Sequence, residues 1–297
     1  MASSAAFAER DERVTLADGT ALAYSISPAR APLGWPTVVL LHGLASNRSR
    51  WQEFCEKTTL TRHFEVVRLD LRGHGDSTPG GSLTLERWCD DVAALLIALR
   101  GTRAIVIGHS LGAQVALAFA ARYPAQCAGV GLIDPVLRNA LRGKWRAIAS
   151  LRFLFAFVAL LVRGANTVGL RRKTVPQYDL KSLDAIARAV LGSPEAEADF
   201  IRRYSSTGAD LRHAHTATYF QDLAAMFRPA PPLASLRMPV LALLSTSGTF
   251  ADRTETARLL AAIPRQQTAW VECHHWPLTE KPYEVRHTIE RWCESLA

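Results

Sequence analysis

Short apolar runs alternate with amphipathic segments along much of the chain. Helical segments include one that starts near Thr84, a residue that suits an N-cap, and one that ends before Pro124. Four runs between the helices resemble strands buried on both faces of a parallel sheet: TVVLLHG, FEVVRLDL, AIVIGHSLG and CAGVGLIDP. The alternation predicts an α/β fold with a mostly parallel central sheet and helices on both of its faces.

The alternation stops in the middle of the chain. From about Val136 to Leu236 the sequence predicts helices and no strand. Strands return at PVLALLS and TAWVEC, with a helix between them and a last helix after them. We therefore expect a core domain of residues 1–135 and 237–297, interrupted by a helical insertion of residues 136–236.

The composition fits such a globular chain. Of the 297 residues, 48% are hydrophobic and 21% are charged, so that a core is easily built. A formal charge of +8 can indicate a nucleic-acid partner, but the arginines are scattered, so we predict none and assign most of them to a solvated surface. The five cysteines form no CxxC pair, so neither a disulfide framework nor a zinc knuckle is indicated.

Two segments bear on the membrane question. The N-terminal MASSAAFAERDER lacks the apolar core of a signal peptide, which favours a cytoplasmic protein. The apolar stretch from Ala147 to Val162 is interrupted by Arg152 and is shorter than the roughly 20 residues of a membrane span. We interpret it as one cap helix, buried or facing lipid.

The motif GHSLG, from Gly108 to Gly112, carries the most specific chemical signal. It fits G-x-S-x-G and lies between a predicted strand and a predicted helix, the context that a nucleophile elbow requires. The serine must stand on a tight turn, and the two glycines let the strand and the helix approach closely. Ser110 is therefore the predicted nucleophile.

Four motifs, in this order, resemble those of the α/β-hydrolase family, and the resemblance covers nearly all of the chain outside the insertion. They are LLHGL at 40–44, DLRGHGDS at 70–77, GHSLG at 108–112 and HHWPLTEKP at 274–282. The resemblance implies the α/β-hydrolase fold, with the insertion forming a helical cap over the serine.

The resemblance also implies the roles of the site residues. Ser110 would attack the substrate, and His275 occupies the position of the family's histidine base, with His274 beside it as the alternative. The backbone N–H groups of Leu44 and Leu111 would form the oxyanion hole.

Other polar residues near these motifs are interpreted as structural. His42, His74 and His109 lie in glycine-rich loops or the elbow and shape them or line the site, and Asp70 fixes the loop after its strand. The run from Cys273 to His275 lacks the spacing of a metal site, so we expect neither a metal nor a cofactor.

The acid of the triad has the weakest signal of these positions in the sequence. By the resemblance, the acid's usual place after PVLALLS falls on Gly248, which has no carboxylate. Some branches of the family take the acid from the end of the preceding strand, and that position holds Asp134. Asp252 is the alternative, although its place before a helix favours an N-cap. We predict Asp134 as the acid because it lies at the carboxyl edge of the sheet.

The insertion would shape the substrate pocket. It is long and partly very apolar, so it either packs as core or leaves an apolar acyl pocket, particularly around Phe153 to Leu161. The aromatic residues most able to line the site are Trp145, Phe153, Phe155, Tyr204, Tyr219 and Phe220.

We therefore expect a carboxylic ester hydrolase that acts on a small lipophilic ester through an acyl-enzyme on Ser110. The same triad also serves lactones, thioesters, amides and C–C bonds, so these substrates stay open. A non-catalytic ligand receptor is favoured only by the missing carboxylate at Gly248. A lipase whose basic, apolar cap transiently contacts lipid is a third hypothesis, and the sequence does not indicate an oligomeric state.

Overall fold

The computed structural model describes residues 9–31, 34–78, 80–170, 172 and 174–296. The sheet at its centre contains eight strands within these residues: β1 Arg10–Thr15, β2 Ala21–Ser27, β3 Thr37–Leu41, β4 Val66–Leu69, β5 Ala104–His109, β6 Cys127–Ile133, β7 Val240–Ser245 and β8 Gln266–Val271. Their order across the sheet is β1-β2-β4-β3-β5-β6-β7-β8. The pairings β1–β2 and β2–β4 are antiparallel, and all the others are parallel.

Twelve α-helices accompany the sheet in the described residues. They are α1 Gln52–Lys57, α2 Leu85–Ala98, α3 Leu111–Arg122, α4 Gly143–Ser150, α5 Arg152–Thr167, α6 Leu180–Val190, α7 Pro194–Tyr204, α8 Thr207–His213, α9 Thr216–Met226, α10 Arg253–Leu260, α11 Pro277–Glu280 and α12 Pro282–Glu294. The predicted N-cap of α2 is confirmed, since the Thr84 side chain accepts a hydrogen bond from the N–H of Arg87.

The sheet is buried on both faces because successive side chains of a strand point to opposite sides. In β3, Val39 and Leu41 belong to a core shared with α2, α3 and the end of α10. Val38 and Leu40 face the other core, which includes residues of α1 and α12. The continuous apolar runs therefore become parallel strands with helices on both faces, as the sequence predicts.

The segment between β6 and β7 folds as helices α4 to α9, and its described residues contain no named strand. The expected single helix over residues 147–162 is wrong in detail. The chain bends by 54° between α4 and α5, with Leu151 at the junction. No single helix of the described residues is long and apolar enough to cross a membrane, whereas the bent α4–α5 pair meets that test by length and composition together.

Buried polar contacts fix the insertion to the rest of the chain. The Arg50 guanidinium, which is itself buried, pairs with the carboxylate of Asp184 in α6 and donates to Thr279 Oγ1 at 2.7 Å. On another side, His74 Nε2 lies 2.9 Å from the carboxylate of Asp222 in α9. Such desolvated pairs are costly to break, so they hold the helices in a defined position over the carboxyl edge of the sheet.

Candidate active site

Ser110 occupies a strained turn between β5 and α3. Its backbone has φ 52° and ψ −110°, a conformation that L-residues rarely adopt. The turn is possible because the flanking glycines lack side chains. A Cβ on Gly108 would lie 2.1 Å from the Gly112 carbonyl, and one on Gly112 would lie 2.5 Å from the Leu41 carbonyl oxygen. The geometry is that of a nucleophile elbow.

Asp134 and His275 meet next to this turn. His275 Nδ1 lies 3.2 Å from Asp134 Oδ2. Asp134 follows β6 with a φ of 44°, and its backbone N–H donates to the carbonyl of Leu243 in the neighbouring strand β7 at 3.0 Å. The ends of two adjacent parallel strands thus present the carboxylate to the imidazole.

Ser245, the last residue of β7, holds this carboxylate in place. Its backbone N–H donates to Asp134 Oδ1 at 2.7 Å and its hydroxyl donates to Oδ2 at 2.6 Å. Burial alone would raise the pKa of Asp134, but the hydrogen bonds from His275 and Ser245 outweigh it and lower that pKa below its ordinary value of 3.8. The carboxylate is therefore ionised at neutral pH and able to stabilise an imidazolium.

The backbone and ring of His275 are fixed from three sides. The His109 ring donates from Nε2 to the His275 carbonyl oxygen at 2.8 Å, which links the elbow directly to the histidine loop. The preceding N–H, of His274, donates to the Glu280 carboxylate at 3.0 Å. The Phe250 ring packs edge-on against the imidazole, with ring centroids 4.6 Å apart.

Ser110 and His275 line the same cavity, which has a volume of about 380 Å³. The loop after β3 forms another part of its wall. A Cβ on Gly43 would lie 3.5 Å from Ser110 Cβ, and Leu44 lines the cavity directly. Within the described residues, neither the Leu44 nor the Leu111 N–H donates to a backbone acceptor outside the regular elements. Both N–H groups therefore remain candidates for the oxyanion hole that the sequence predicts.

The alternative residues for the acid are placed differently. Asp252 is the N-cap of α10, accepting from the Glu255 N–H at 2.7 Å, and it also pairs with Arg142. Gly248 has a φ of 62° and borders a void of about 30 Å³ that Asp134 and His275 also line. The usual position of the acid thus adjoins the Asp134–His275 pair.

The polar residues interpreted as structural make hydrogen bonds consistent with that interpretation. Asp70 accepts from the N–H groups of Arg48 and Asp76 at 2.6 and 2.9 Å and so fixes two loops. His42 Nε2 accepts from the Leu71 N–H at 3.1 Å. Burial and the neighbouring His275 lower the pKa of the ring of His109 to about 3, so it is neutral. In the part of the chain that the structure describes, no group of three His, Cys, Asp or Glu side chains could hold a metal ion.

The cap aromatics divide into two sets. Five of the six predicted aromatic residues line the cavity beside Ser110: Trp145, Phe155, Tyr204, Tyr219 and Phe220. Phe153 does not, because its side chain points outward and is 71% exposed. The prediction was wrong for Phe153 because an apolar helix offers no polar face from which its inward side could be inferred.

A second cavity of about 600 Å³ adjoins the first and shares part of its lining. Leu44, Arg50, Tyr204, Asp210 and Trp276 border both cavities. Burial raises the pKa of Asp210 from 3.8 to about 7, an effect that the hydrogen bond from Tyr219 only partly offsets. The two cavities together leave room for a larger ligand than the first cavity alone would hold.

Comparison with known proteins agrees with the fold. A family model described as alpha/beta hydrolase fold matches residues 36–282. The chain belongs to the α/β-hydrolase family. Among solved structures, one that the chain resembles is a thermophilic esterase from Thermogutta terrifontis, with a TM-score of 0.68 and 22% sequence identity. The superposition covers 97% of this chain and 99% of the esterase. At that identity the likeness concerns the fold.

Curated relatives of this α/β hydrolase match only over part of its length. A 2-(acetamidomethylene)succinate hydrolase of Mesorhizobium japonicum is 34% identical over 100 residues, 33% of this chain and 35% of that protein. An sn-1-specific diacylglycerol lipase of Xenopus tropicalis is 33% identical over 103 residues, 35% of this chain and 32% of that protein. The chain thus spans about a third of the curated relatives it matches, and these include hydrolases and lipases.

Three residues that sequence reasoning missed support the site. Ser245 could have been noticed as a polar residue ending the apolar strand beside Asp134, once the two strands are placed side by side. Glu280 lies inside the HHWPLTEKP motif, which gives no sign that its carboxylate binds the N–H of His274. Phe250 has no sequence signal, because its contact with His275 depends on how the loop after β7 folds.

Proposed function

We propose that this α/β hydrolase cleaves carboxylic esters of lipophilic small molecules through an acyl-enzyme on Ser110. The observation that carries the proposal is the contact of His275 Nδ1 with the ionised, buried carboxylate of Asp134, at 3.2 Å. A nucleophilic serine needs a base, and the base needs a carboxylate that fixes its tautomer. A serine on an elbow turn in the same cavity completes that set.

The proposed chemistry assigns one role to each of these groups. Ser110 Oγ attacks the acyl carbon while His275 Nε2 takes its proton, and Asp134 stabilises the resulting imidazolium. The N–H groups of Leu44 and Leu111 bind the oxygen that becomes negative. His275 then protonates the departing alkoxide, which leaves the acyl group on Ser110. In the second half, His275 takes a proton from water and the resulting hydroxide attacks the acyl carbon. The acyl–Oγ bond then breaks, His275 returns the proton to Ser110 Oγ, and the carboxylic acid leaves.

The lining of the cavity favours a lipophilic acyl group. Beside Ser110 it is formed mostly by aromatic and aliphatic side chains from α4, α5 and α9. A volume of about 380 Å³ fits a small ligand. A non-catalytic receptor is favoured only by the missing carboxylate at Gly248, and the contact between Asp134 and His275 supports the enzyme instead.

A panel of p-nitrophenyl esters of rising chain length, run beside lactones and thioesters, tests the proposal. We expect ester hydrolysis that is lost in Ser110→Ala and kept in Ser235→Ala, a matched change at an exposed serine outside the cavity. Hydrolysis of lactones or thioesters without any ester turnover would replace the substrate class but keep the triad. A folded protein that hydrolyses nothing in the panel would favour the receptor.

A further inference from the structure

The outward face of α5 is apolar and exposed. The apolar side chains on this face have exposed fractions of 50–71% and are Phe153, Leu154, Phe157, Leu160 and Leu161. Their spacing of i, i+1, i+4, i+7 and i+8 puts them on one stripe of the helix. In a globular protein such a stripe normally faces the core, whereas this one faces away from it. We call these five residues the α5 stripe.

The positive charge of the chain is concentrated in the sequence segment that contains the α5 stripe. The segment from Pro135 to Tyr178 contains nine of the 35 Lys and Arg residues and none of the 27 Asp and Glu residues. The rest of the chain is left with 26 basic and 27 acidic residues, so the segment accounts for the whole positive balance of +8. Among its described residues, only Arg142 pairs with a carboxylate, that of Asp252.

Basic side chains also lie directly beside the apolar ones. The Arg152 guanidinium lies 4.0 Å from the centroid of the Phe153 ring, and the Lys144 ammonium lies 5.2 Å from that of Trp145. Arg163 lies about three turns further along the same side of α5 than Arg152, where its guanidinium donates to Ser82 Oγ at 3.0 Å. Arg152 therefore directly adjoins the α5 stripe, and no acidic side chain of the same segment neutralises it.

We propose that α4 and α5 dock this protein onto an anionic lipid bilayer. Exposed aromatic and aliphatic side chains on one face of a helix, with Lys or Arg beside them, favour the interface of such a bilayer. The charge favours this occupant over a second copy of the chain, because a two-fold contact through α5 would bring two uncompensated positive segments together.

The location of the docking face relative to the cavity gives it a use. The opposite sides of the same helices line the cavity beside Ser110, with Trp145, Ile148 and Phe155 as examples. A bilayer on the α5 stripe would therefore lie about one helix diameter, roughly 10 Å, from the cavity wall. Docking itself does not depend on catalysis, so it can fail or succeed independently of the proposed ester hydrolysis.

Flotation with lipid vesicles tests the docking. The full chain carrying Ser110→Ala, which prevents lipid turnover, is mixed with vesicles of phosphatidylcholine alone or of phosphatidylcholine with phosphatidylglycerol. We expect the affinity for the anionic vesicles to be at least about tenfold higher than for the neutral ones, because each basic residue near an anionic surface raises the affinity about fivefold. High salt should weaken this binding because it screens the charges.

Two variants locate the docking face. Phe153→Ser with Phe157→Ser should lower anionic-vesicle binding at least about tenfold, whereas Ile97→Ser, which removes an apolar side chain that is 69% exposed on α2, should leave it unchanged. Arg146→Glu with Arg152→Glu should weaken binding through charge alone, with the apolar stripe intact. All these residues are at least partly exposed, and thermal melts check that each variant is folded.

Three results would overturn the proposal. The first is that the Ser110→Ala protein, in which α4 and α5 are unchanged, does not bind anionic vesicles. The second is that the double variant Phe153→Ser with Phe157→Ser binds these vesicles as strongly as the parent protein. The third is that light scattering finds a dimer of the parent protein but a monomer of the same double variant, and that the parent protein does not bind vesicles. In that last case the α5 stripe is an interface between two copies of the chain.

Discussion

Replacing Asp134 by asparagine is the most informative single change in this site. The substitution keeps the shape of the side chain and removes its charge. Ser245 is decisive for the outcome, because its backbone N–H cannot rotate and must still find an acceptor. The amide oxygen of the introduced side chain therefore takes the Oδ1 position, and its NH₂ group takes the Oδ2 position that faces His275.

This orientation has a defined consequence for His275. The NH₂ group would donate to Nδ1, so the imidazole proton would move to Nε2. A ring with its proton on Nε2 cannot accept the proton of Ser110. The Ser245 hydroxyl can turn to accept from the NH₂ group, so the fold is kept. We expect kcat to fall on the order of 10⁴, equivalent to about 5 kcal/mol of transition-state stabilisation, with little change in KM.

The assay is steady-state hydrolysis of the best p-nitrophenyl ester, with a thermal melt of each variant. Asp252→Asn is the matched control. Asparagine caps a helix as well as aspartate does, and the ion pair that is lost involves an Arg142 side chain that is 77% exposed. We therefore expect Asp252→Asn to lose at most about 1 kcal/mol of stability and to keep its activity within about twofold of the wild type. If Asp134→Asn keeps near full activity while Asp252→Asn is inactive, the assignment of the acid is wrong.

A second carboxylate position sharpens this test. Gly248→Asp in the Asp134→Asn background returns a carboxylate to a residue that borders the same small void as His275. Its φ of 62° is tolerated by aspartate better than by most residues, although the new Cβ would lie 3.1 Å from the Ala251 carbonyl oxygen. We expect partial rescue of kcat. No rescue from a folded double variant would contradict the view that both strand ends address one imidazole.

Two further predictions concern the cap. Phe155→Ala should shift the preference to esters with longer acyl chains and leave acetate hydrolysis nearly unchanged. Phe153→Ala, on the outer face of α5, should not change the preferred chain length. A uniform loss of activity across all chain lengths in Phe155→Ala would instead make Phe155 a packing residue. Burial raises the pKa of Asp210 to about 7, so its contribution to stability is full below about pH 4 and is lost as the pH rises towards 7. The free energy of unfolding of Asp210→Asn, relative to that of the wild type, should therefore be about 1–3 kcal/mol higher at pH 8 than at pH 5. Urea unfolding at both pH values measures this difference. If the stabilities of the two proteins change with pH in parallel, the carboxyl of Asp210 is not buried as described.

Much of the fold can be predicted from the sequence because each buried strand has its own apolar run. The strand that ends at Asp134 and the one that ends at Ser245 are both visible in this way. Their adjacency follows from the family's sheet order, and the missing side chain at Gly248 directs attention to Asp134. Its contact with His275 is thus within reach of sequence reasoning, because it needs only the strand ends.

The cap is less predictable because its helices are oriented by tertiary packing. From Phe153 to Val162, α5 is apolar on every side, so no periodicity tells the inward face from the outward one. The bend at Leu151 also has no signal such as proline. Ser245 and Phe250 acquire their roles only from contacts across the sheet edge, which a single sequence does not record.

The central claim is that Ser110 carries the acyl group, and covalent labelling tests it most directly. The native protein is treated with a fluorophosphonate probe, and its intact mass and the modified peptide are determined by mass spectrometry. We expect a single label on the peptide that contains Ser110, absent from Ser110→Ala and formed more slowly in Asp134→Asn. A label that persists in Ser110→Ala, or a folded wild-type protein that acquires none while it hydrolyses esters, would contradict it.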